Sequence, residues 1–288
     1  MSTRSVRNLL LASTVVAASI ASGSAMAAGE PFVFNQSGIT GSNLANPITA
    51  DRITFSYTAV INQIDPVAGG NARFAESGFF NKNVFERNGA IVPSLLNFPE
   101  GGIGGLGAGQ GYGLYGIFNI TGVSNATASG DIVATFQTMT LSLYSDPNQN
   151  TTLGFNPPTV NGLNTTAAVV SGGGEDQLLL TETLVTGRAD VRGALNNGDY
   201  KAILNVTLTP AGQGVFTSPN PFYALETFAG NTTDIIPAGN LTTPFTSTAT
   251  GAGTEDFNST ATPEPASLAL LGSGLLGMGF LGRRRRSK

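Results

Sequence analysis

Three oxygen-bearing side chains at alternating positions follow a strand-like stretch near the middle of the chain. Asp146, Asn148 and Asn150 stand at i, i+2 and i+4, a spacing that can direct three oxygens toward a hard cation such as Ca²⁺. They do not form an EF-hand loop, because the sixth position is Thr151 instead of Gly and the twelfth is Pro157 instead of Glu. The segment predicts an irregular calcium site, with an Asn/Asp turn held by side-chain to backbone hydrogen bonds as the alternative.

Other carboxylates are the remaining residues that could do chemistry. Glu175 and Asp176 follow three glycines and offer either a second pair of cation ligands or a solvated loop. Glu182 and Glu226 lie within or near predicted strands, and a glycosidase needs two facing acids roughly 5 to 10 Å apart. Histidine is absent, which excludes Ser-His-Asp and Cys-His catalysis and histidine metal ligands. We expect a protein that is not an enzyme, with a carboxylate-dependent polysaccharide hydrolase or lyase as the alternative.

The charge of the central region limits its partners. Residues 28–262 hold seven basic and seventeen acidic side chains, a formal charge of −10, although the whole chain counts −4. A sparse acidic surface repels phosphate backbones, so we expect no nucleic-acid partner. Cysteine is also absent, so stability must come from a core without disulfides. The composition leaves cations and neutral polysaccharides as partners.

Alternation of apolar and polar residues characterises the central region. Ile53, Phe55 and Tyr57 recur at every second position with Thr and Ser between them, which is the period of a half-buried strand. Similar runs predict strands at residues 115–119, 132–143, 177–186, 200–209, 214–217 and 222–227. No segment is typical of a long amphipathic helix. The pattern predicts an all-β domain with long Gly/Asn-rich loops and favours a β-sandwich of jelly-roll type, with a barrel as the alternative.

Loop composition suggests the boundaries of this domain. Asn196-Asn197-Gly198 predicts a hairpin turn before the strand near Tyr200. Residues 102–107 satisfy the GxGxxG pattern, but no strand precedes them and no helix can follow, so we interpret them as a long loop instead of a dinucleotide site. Composition later shifts to Thr, Gly and Ala. We therefore place the β-domain at residues 28–241 and a Thr/Gly-rich linker at 242–262.

The N-terminal segment has the three parts of a signal peptide. Arg4 and Arg7 supply the positive region, residues 9–20 the apolar region, and Ala25 and Ala27 flank Met26 in a small-x-small cleavage site. Residues 1–27 are therefore predicted to be removed on export, so that the mature protein begins at Ala28.

The C-terminal segment also has three ordered parts. Pro263, Glu264 and Pro265 precede an uncharged, mostly apolar stretch at 266–282 that reaches roughly 25 Å as a helix, the short end of a bilayer span. A basic cluster follows at Arg283, Arg284, Arg285 and Arg286. Because basic residues beside a span stay on the cytoplasmic side, the chain before Pro263 is predicted to lie across the membrane.

On these three parts, residues 263–288 resemble the PEP-CTERM sorting signal. The resemblance implies an exopolysaccharide-producing Gram-negative bacterium, in which an exosortase-type membrane protease removes the tail near Pro-Glu-Pro. The protein would be anchored transiently in the inner membrane and then released to the cell surface or extracellular matrix. An ordinary C-terminal anchor that is never cut is the alternative.

Three stretches of the predicted exported domain, at residues 29–35, 50–57 and 143–152, resemble the flocculation-associated PEP-CTERM proteins of floc-forming bacteria. This resemblance implies a secreted, non-catalytic protein that holds cells together within exopolysaccharide. It carries no binding residues over to this sequence. We expect a secreted matrix or floc-forming protein that associates with exopolysaccharide, with Ca²⁺ bridging as a hypothesis.

Overall fold

The computed structural model describes residues 29–39, 46–96, 111–156, 166–193, 196–233 and 242–258. Fourteen strands make up nearly all of the regular structure in these ranges. They are β1 (Phe32–Phe34), β2 (Ile48–Ala50), β3 (Arg52–Gln63), β4 (Ala72–Arg87), β5 (Ala90–Val92), β6 (Gly113–Ala126), β7 (Ile132–Asp146), β8 (Thr152–Phe155), β9 (Ala167–Ser171), β10 (Gln177–Arg192), β11 (Asn197–Leu208), β12 (Phe216–Ser218), β13 (Leu225–Thr233) and β14 (Phe245–Asn258). A short helix, α1 (Pro210–Val215), and two 3-10 turns (Gln36–Gly38 and Val67–Gly69) complete the described structure.

Eight long strands form a closed antiparallel barrel. Their order is β3-β14-β13-β11-β10-β7-β6-β4, and β4 pairs back onto β3 from Arg52 opposite Glu86 to Gln63 opposite Phe74. The all-β prediction is confirmed, but the jelly-roll sandwich is replaced by a barrel. The physical reason is this long β3–β4 pairing, which joins the two edges of what would otherwise be an open sheet.

Large rings fill much of the barrel interior. On β3 the predicted alternation is observed, since Ile53, Phe55 and Tyr57 are buried inside the barrel. The Phe55 ring stacks on that of Phe228, with centroids 4.6 Å apart. A Cβ added to Gly116 would lie 1.9 Å from the Phe80 ring, so the absence of a side chain there makes room for the ring. Aromatic rings and facing glycines therefore pack the lumen together.

An aromatic plug closes one end of the barrel. Strands β12, β1 and β2 form a small separate sheet, and Thr209 caps the N-terminus of α1, since its side chain accepts a hydrogen bond from the Gly212 N–H. The Phe32 ring contacts the rings of Phe216 and Phe257, with centroids 6.1 and 5.2 Å away. The plug is continuous with the main core, because Phe257 belongs to barrel strand β14.

Three strand predictions need correction. The predicted linker at residues 242–262 is wrong over Phe245–Asn258, which is β14, a full member of the barrel. Its inward positions include Gly251 and Gly253, which lie against Tyr57 and Phe55, so the middle of the strand lacks the large apolar residues that mark other strands. Strand β4 was not predicted, and residues 214–217 divide between the end of α1 and the start of β12.

Two further elements lie outside the barrel wall. The hairpin of β8 and β9 lies against the outer face of β4, where Phe155 contacts Phe79 at 5.2 Å between ring centroids and the Ala167 N–H donates to Ser77 Oγ. The predicted hairpin before Tyr200 is confirmed, because β10 and β11 pair directly from Arg192 opposite Asn197. The turn itself lies between these two residues, and Asn197 and Gly198 are paired residues of β11 instead of turn residues.

Several sequence predictions fall outside the described residues. These are the signal peptide with Ala25 and Ala27, the glycine-rich segment at 102–107, and the tail at 263–288. Among the helices in the described part of the chain, none has the length and apolar composition needed to cross a membrane.

Candidate functional site

The strongest cation-binding geometry lies where β7 ends and β10 begins. Antiparallel pairing sets Ser145 opposite Gln177, so Asp146 after the first and Asp176 before the second come together. One carboxylate oxygen each from Asp146, Glu175 and Asp176 lies within 4.8 Å of the others. Two ligands of one Ca²⁺ ion, each 2.3–2.6 Å from the metal, can be at most about 5 Å apart. This group, the acidic cluster, therefore has dimensions that suit a shared cation.

Hydrogen bonds orient the carboxylate of Asp176. Its Oδ2 accepts from the Tyr115 hydroxyl at 2.6 Å and from Thr151 Oγ1 at 2.7 Å. Its Oδ1 is buried and has no hydrogen-bond partner among the described residues. Burial raises the pKa of Asp176, the two hydroxyl donors oppose this shift, and the nearby charges of Asp146 and Glu175 add to it. A cation would compensate both the unpaired oxygen and the mutual repulsion.

The three residues that the sequence singled out have different roles in this arrangement. Asp146 belongs to the acidic cluster, and its carboxylate also accepts hydrogen bonds from the backbone N–H groups of Asn150 and Thr151. Asn148 donates through Nδ2 to Glu175 Oε1 at 3.1 Å, and this hydrogen bond is the main cause that lowers the pKa of Glu175. The turn therefore contributes Asp146 to the acidic cluster, and Asn148 and Asn150 donate hydrogen bonds to the carboxylates of this cluster.

Beside the acidic cluster, the outer face of the barrel carries aromatic and then polar side chains. Tyr115 and Tyr144 stack with ring centroids 5.1 Å apart and planes 11° from parallel. Farther along the same strands, the wall presents an exposed row across β6, β7, β10 and β11. The row consists of Asn119, Thr140, Thr183 and Asn205. Neighbouring strands are about 4.8 Å apart, so the row offers evenly spaced hydroxyl and amide groups.

The two glutamates considered for a glycosidase meet inside the barrel. Glu182 and Glu226 are 1% and 0% exposed, and burial raises the pKa values of both. A polysaccharide cannot reach carboxylates with this burial. Lys82, also 0% exposed, forms an ion pair with Glu255 and lies 4.4 Å from the Phe80 ring centroid. Burial lowers the pKa of Lys82 to about 7, and the charges of Glu226 and Glu182 oppose that shift.

Sequence reasoning missed two parts of this arrangement. It treated Asp146 and the Glu175-Asp176 pair as separate candidates, because their proximity depends on the register of β7 against β10. It also gave no role to Lys82 or Glu76, because both lie in β4, whose inward positions include charged residues and glycine. The only available signal was a possible alternation of large and charged residues along residues 72–82.

Comparison with known proteins informs the C-terminal segment. Searches among curated proteins and among solved structures returned no significant match. A family model described as the PEP-CTERM protein-sorting motif matches residues 261–286, which include Pro263, Glu264, Pro265 and the four arginines. The motif implies export, membrane anchoring of the C-terminus before processing, and sorting that depends on an exosortase. Residues 261–286 of this chain therefore carry a PEP-CTERM sorting signal.

Proposed function

We propose that this chain is a secreted matrix or floc-forming protein whose barrel associates with exopolysaccharide and promotes cell aggregation. The observation that carries the proposal is one continuous outer face, the polymer face. It comprises the acidic cluster, the Tyr115–Tyr144 stack and the row from Asn119 to Asn205 on strands β6, β7, β10 and β11. The sorting motif supports the proposal, because it takes the chain to the compartment where such polymers lie.

The chemistry of the polymer face suits a carbohydrate. Uncharged hydroxyl and amide groups can exchange hydrogen bonds with sugar hydroxyls, and a partly exposed tyrosine ring offers an apolar surface to a sugar ring. Tyr144 retains exposed area in the stack, whereas Tyr115 is buried beneath its neighbours. A Ca²⁺ ion on the acidic cluster would add a positive site on an acidic protein and could bridge to anionic groups of the polymer.

Co-sedimentation with the organism's own exopolysaccharide tests the association. We expect the wild-type chain to pellet with the polymer, and a Thr140→Ala/Thr183→Ala variant to bind several-fold more weakly because the centre of the row is lost. A Thr248→Ala/Thr250→Ala variant is the matched control, since these exposed threonines lie on β14, across the barrel. Equal binding by both variants, or no binding by the wild type, would remove the polymer face from consideration.

The same incubation separates the binder from the alternative enzyme. Polymer recovered intact beside bound protein agrees with the proposal. New reducing ends or unsaturated sugars would instead assign a hydrolase or lyase, and the catalytic acids would then have to lie outside the buried Glu182–Glu226 pair.

Calcium titration calorimetry tests the cation claim. We expect saturable heat with the wild type and at least tenfold weaker binding with Glu175→Gln, which removes one charge and keeps the side-chain shape. Asp190→Asn is the control, because Asp190 is bound to Arg188 away from the acidic cluster. If the wild type gives no calcium-dependent heat, the segment that follows Asp146 is an Asn/Asp turn and does not bind calcium.

Cell fractionation tests release after sorting. We expect the native chain in the medium or matrix, and retention in the membrane fraction when Pro263, Glu264 and Pro265 are all replaced by alanine. A native chain that stays in the membrane fraction would favour the permanent anchor. Deleting the gene should reduce aggregation and polymer retention, and unchanged aggregation would exclude the flocculation role.

A further inference from the structure

A cavity of about 70 Å³ lies inside the barrel, displaced toward the end away from the aromatic plug. We call it the lumen cavity. Its walls are mostly apolar and include the rings of Tyr57, Phe118 and Phe228. Glu76 is the one charged side chain among the described residues that line it. No cationic side chain from these residues faces that carboxylate across the cavity.

Three of the polar side chains that line the lumen cavity have no hydrogen-bond partner among the described residues. Glu76 stands opposite Ile61 and Ile120 in the adjacent strands, and no hydrogen bond or ion pair reaches its carboxylate from the described residues. The hydroxyl oxygens of Tyr200 and Thr232 are also buried without hydrogen-bond partners among those residues. Thr232 is 5% exposed. Unpaired buried polar groups are uncommon and costly, so these two hydroxyls beside the half-buried Glu76 carboxylate indicate a ligand that satisfies them.

We propose that the lumen cavity binds a small organic ammonium ion whose nitrogen pairs with Glu76 and whose alkyl carbons contact the surrounding aromatic rings. Ammonium N–H groups can donate to the carboxylate and to the hydroxyl oxygens of Tyr200 and Thr232. The faces of aromatic rings attract a cation that has lost its water. This ligand is independent of the polymer face on the outside of the barrel.

The volume of the lumen cavity sets the size of the ligand. A cavity of about 150 Å³ is known to take a benzene molecule, so about 70 Å³ suits a cation of roughly three to five heavy atoms. A primary alkylammonium such as n-propylammonium has this size. Such small ligands bind no more tightly than roughly tens of micromolar, because each atom contributes a limited free energy.

Proton exchange gives the proposal a specific signature. Burial raises the pKa of Glu76 to about 7. The other titratable groups that line the cavity are the phenols of Tyr57 and Tyr200, and burial raises both pKa values further above 10. Only Glu76 therefore changes protonation near neutral pH at this site. Below pH 7, an ammonium ion must displace a proton from Glu76, which weakens its apparent affinity about tenfold for each pH unit.

Isothermal titration calorimetry of the wild-type chain with n-propylammonium chloride is the test, with 1-propanol as the neutral isostere and sodium chloride as the salt control. We expect saturable binding of the ammonium at pH 8 and about tenfold weaker binding at pH 6, with release of nearly one proton at pH 6. 1-Propanol should bind at least tenfold more weakly than the ammonium at pH 8.

Two variants locate the site. Glu76→Gln should weaken ammonium binding at least tenfold and abolish its pH dependence, and Thr232→Val should weaken it several-fold because only a hydroxyl is lost. Glu86→Gln, on the same strand but beside Arg52, is the control and should bind as the wild type does. Three results would overturn the proposal: n-propylammonium shows no saturable binding up to about 50 mM, 1-propanol binds as tightly as the ammonium, or Glu76→Gln binds the ammonium with the affinity of the wild type. If Glu76→Gln does not fold, the pH dependence and proton release of the wild type still decide.

Discussion

Glu76→Gln is expected to stabilise this protein at neutral pH, although it removes a charged group. In the folded chain burial raises the pKa of Glu76 from 4.5 to about 7, and no ion pair from the described residues compensates that cost. Between pH 4.5 and 7 the folded state therefore binds more protons at this site than the unfolded state does. The stability contributed by the neutral carboxyl is fully present below pH 4.5 and is lost as the pH rises toward 7.

The magnitude follows from the size of the pKa shift. At 1.36 kcal/mol per pH unit, the shift from 4.5 to about 7 lowers the free energy of unfolding of the wild type by about 3 kcal/mol. A neutral glutamine does not incur this loss. Glu76→Gln should therefore equal the wild type near pH 4.5 and exceed its free energy of unfolding by about 3 kcal/mol at pH 7.5. For a domain of this size that gain corresponds to a rise in Tm of roughly 10 °C.

Urea unfolding followed by far-UV circular dichroism at pH 4.5, 5.5, 6.5 and 7.5 measures this difference. The difference between variant and wild type should grow by about 1.4 kcal/mol per pH unit and level off above pH 7. Glu86→Gln, outside the barrel on the same strand, controls for the loss of a carboxylate and should give no comparable gain. A constant difference across this pH range, or a variant that is less stable at pH 7.5, would refute the burial of an uncompensated carboxyl at position 76.

Three further outcomes are expected. Lys82→Met should lower the free energy of unfolding by about 3–5 kcal/mol at pH 7, because Glu255 loses its buried counter-ion, and Lys82→Met/Glu255→Gln should recover most of this loss in the same urea assay. Gly116→Ala should cost about 1–3 kcal/mol because the new Cβ would overlap Phe80, whereas Gly174→Ala, with no atom within 4 Å of the new Cβ, should change stability little. Saturating Ca²⁺ should raise the Tm of the wild type and leave that of Asp176→Asn nearly unchanged, because a ligand stabilises only the folded state that binds it. Equal increases of Tm in the two proteins would show that calcium binds elsewhere.

Strands whose inward residues are large and apolar were predicted correctly. In β3 the alternation of Ile53, Phe55 and Tyr57 is direct, and β7 follows the same rule. The two barrel strands that were missed break it for opposite reasons. Strand β4 turns Glu76 and Lys82 inward, and β14 turns Gly251 and Gly253 toward large rings from its neighbours. A pattern based on hydrophobicity cannot identify an inward position that is charged or empty.

Candidate residues were easier to identify than their relationships. Asp146, Glu175 and Asp176 were all candidates by residue type, yet their distance depends on the register of β7 against β10. Glu182 and Glu226 were candidates for catalysis, and their position in the barrel wall turned both toward a closed lumen. A shift of one residue in either strand would place the same carboxylates on the outer face.

Local order in the sequence was sufficient to determine the sorting tail, the all-β class and the absence of histidine chemistry. Each of these depends on composition, or on a motif within one short segment, so no contact between distant residues is needed. Only the tertiary structure decided that the barrel closes, that the acidic cluster forms and that the lumen cavity lies beside Glu76. All three depend on pairing between strands far apart in the chain, and the energy of that pairing is collective and cannot be read from any one segment.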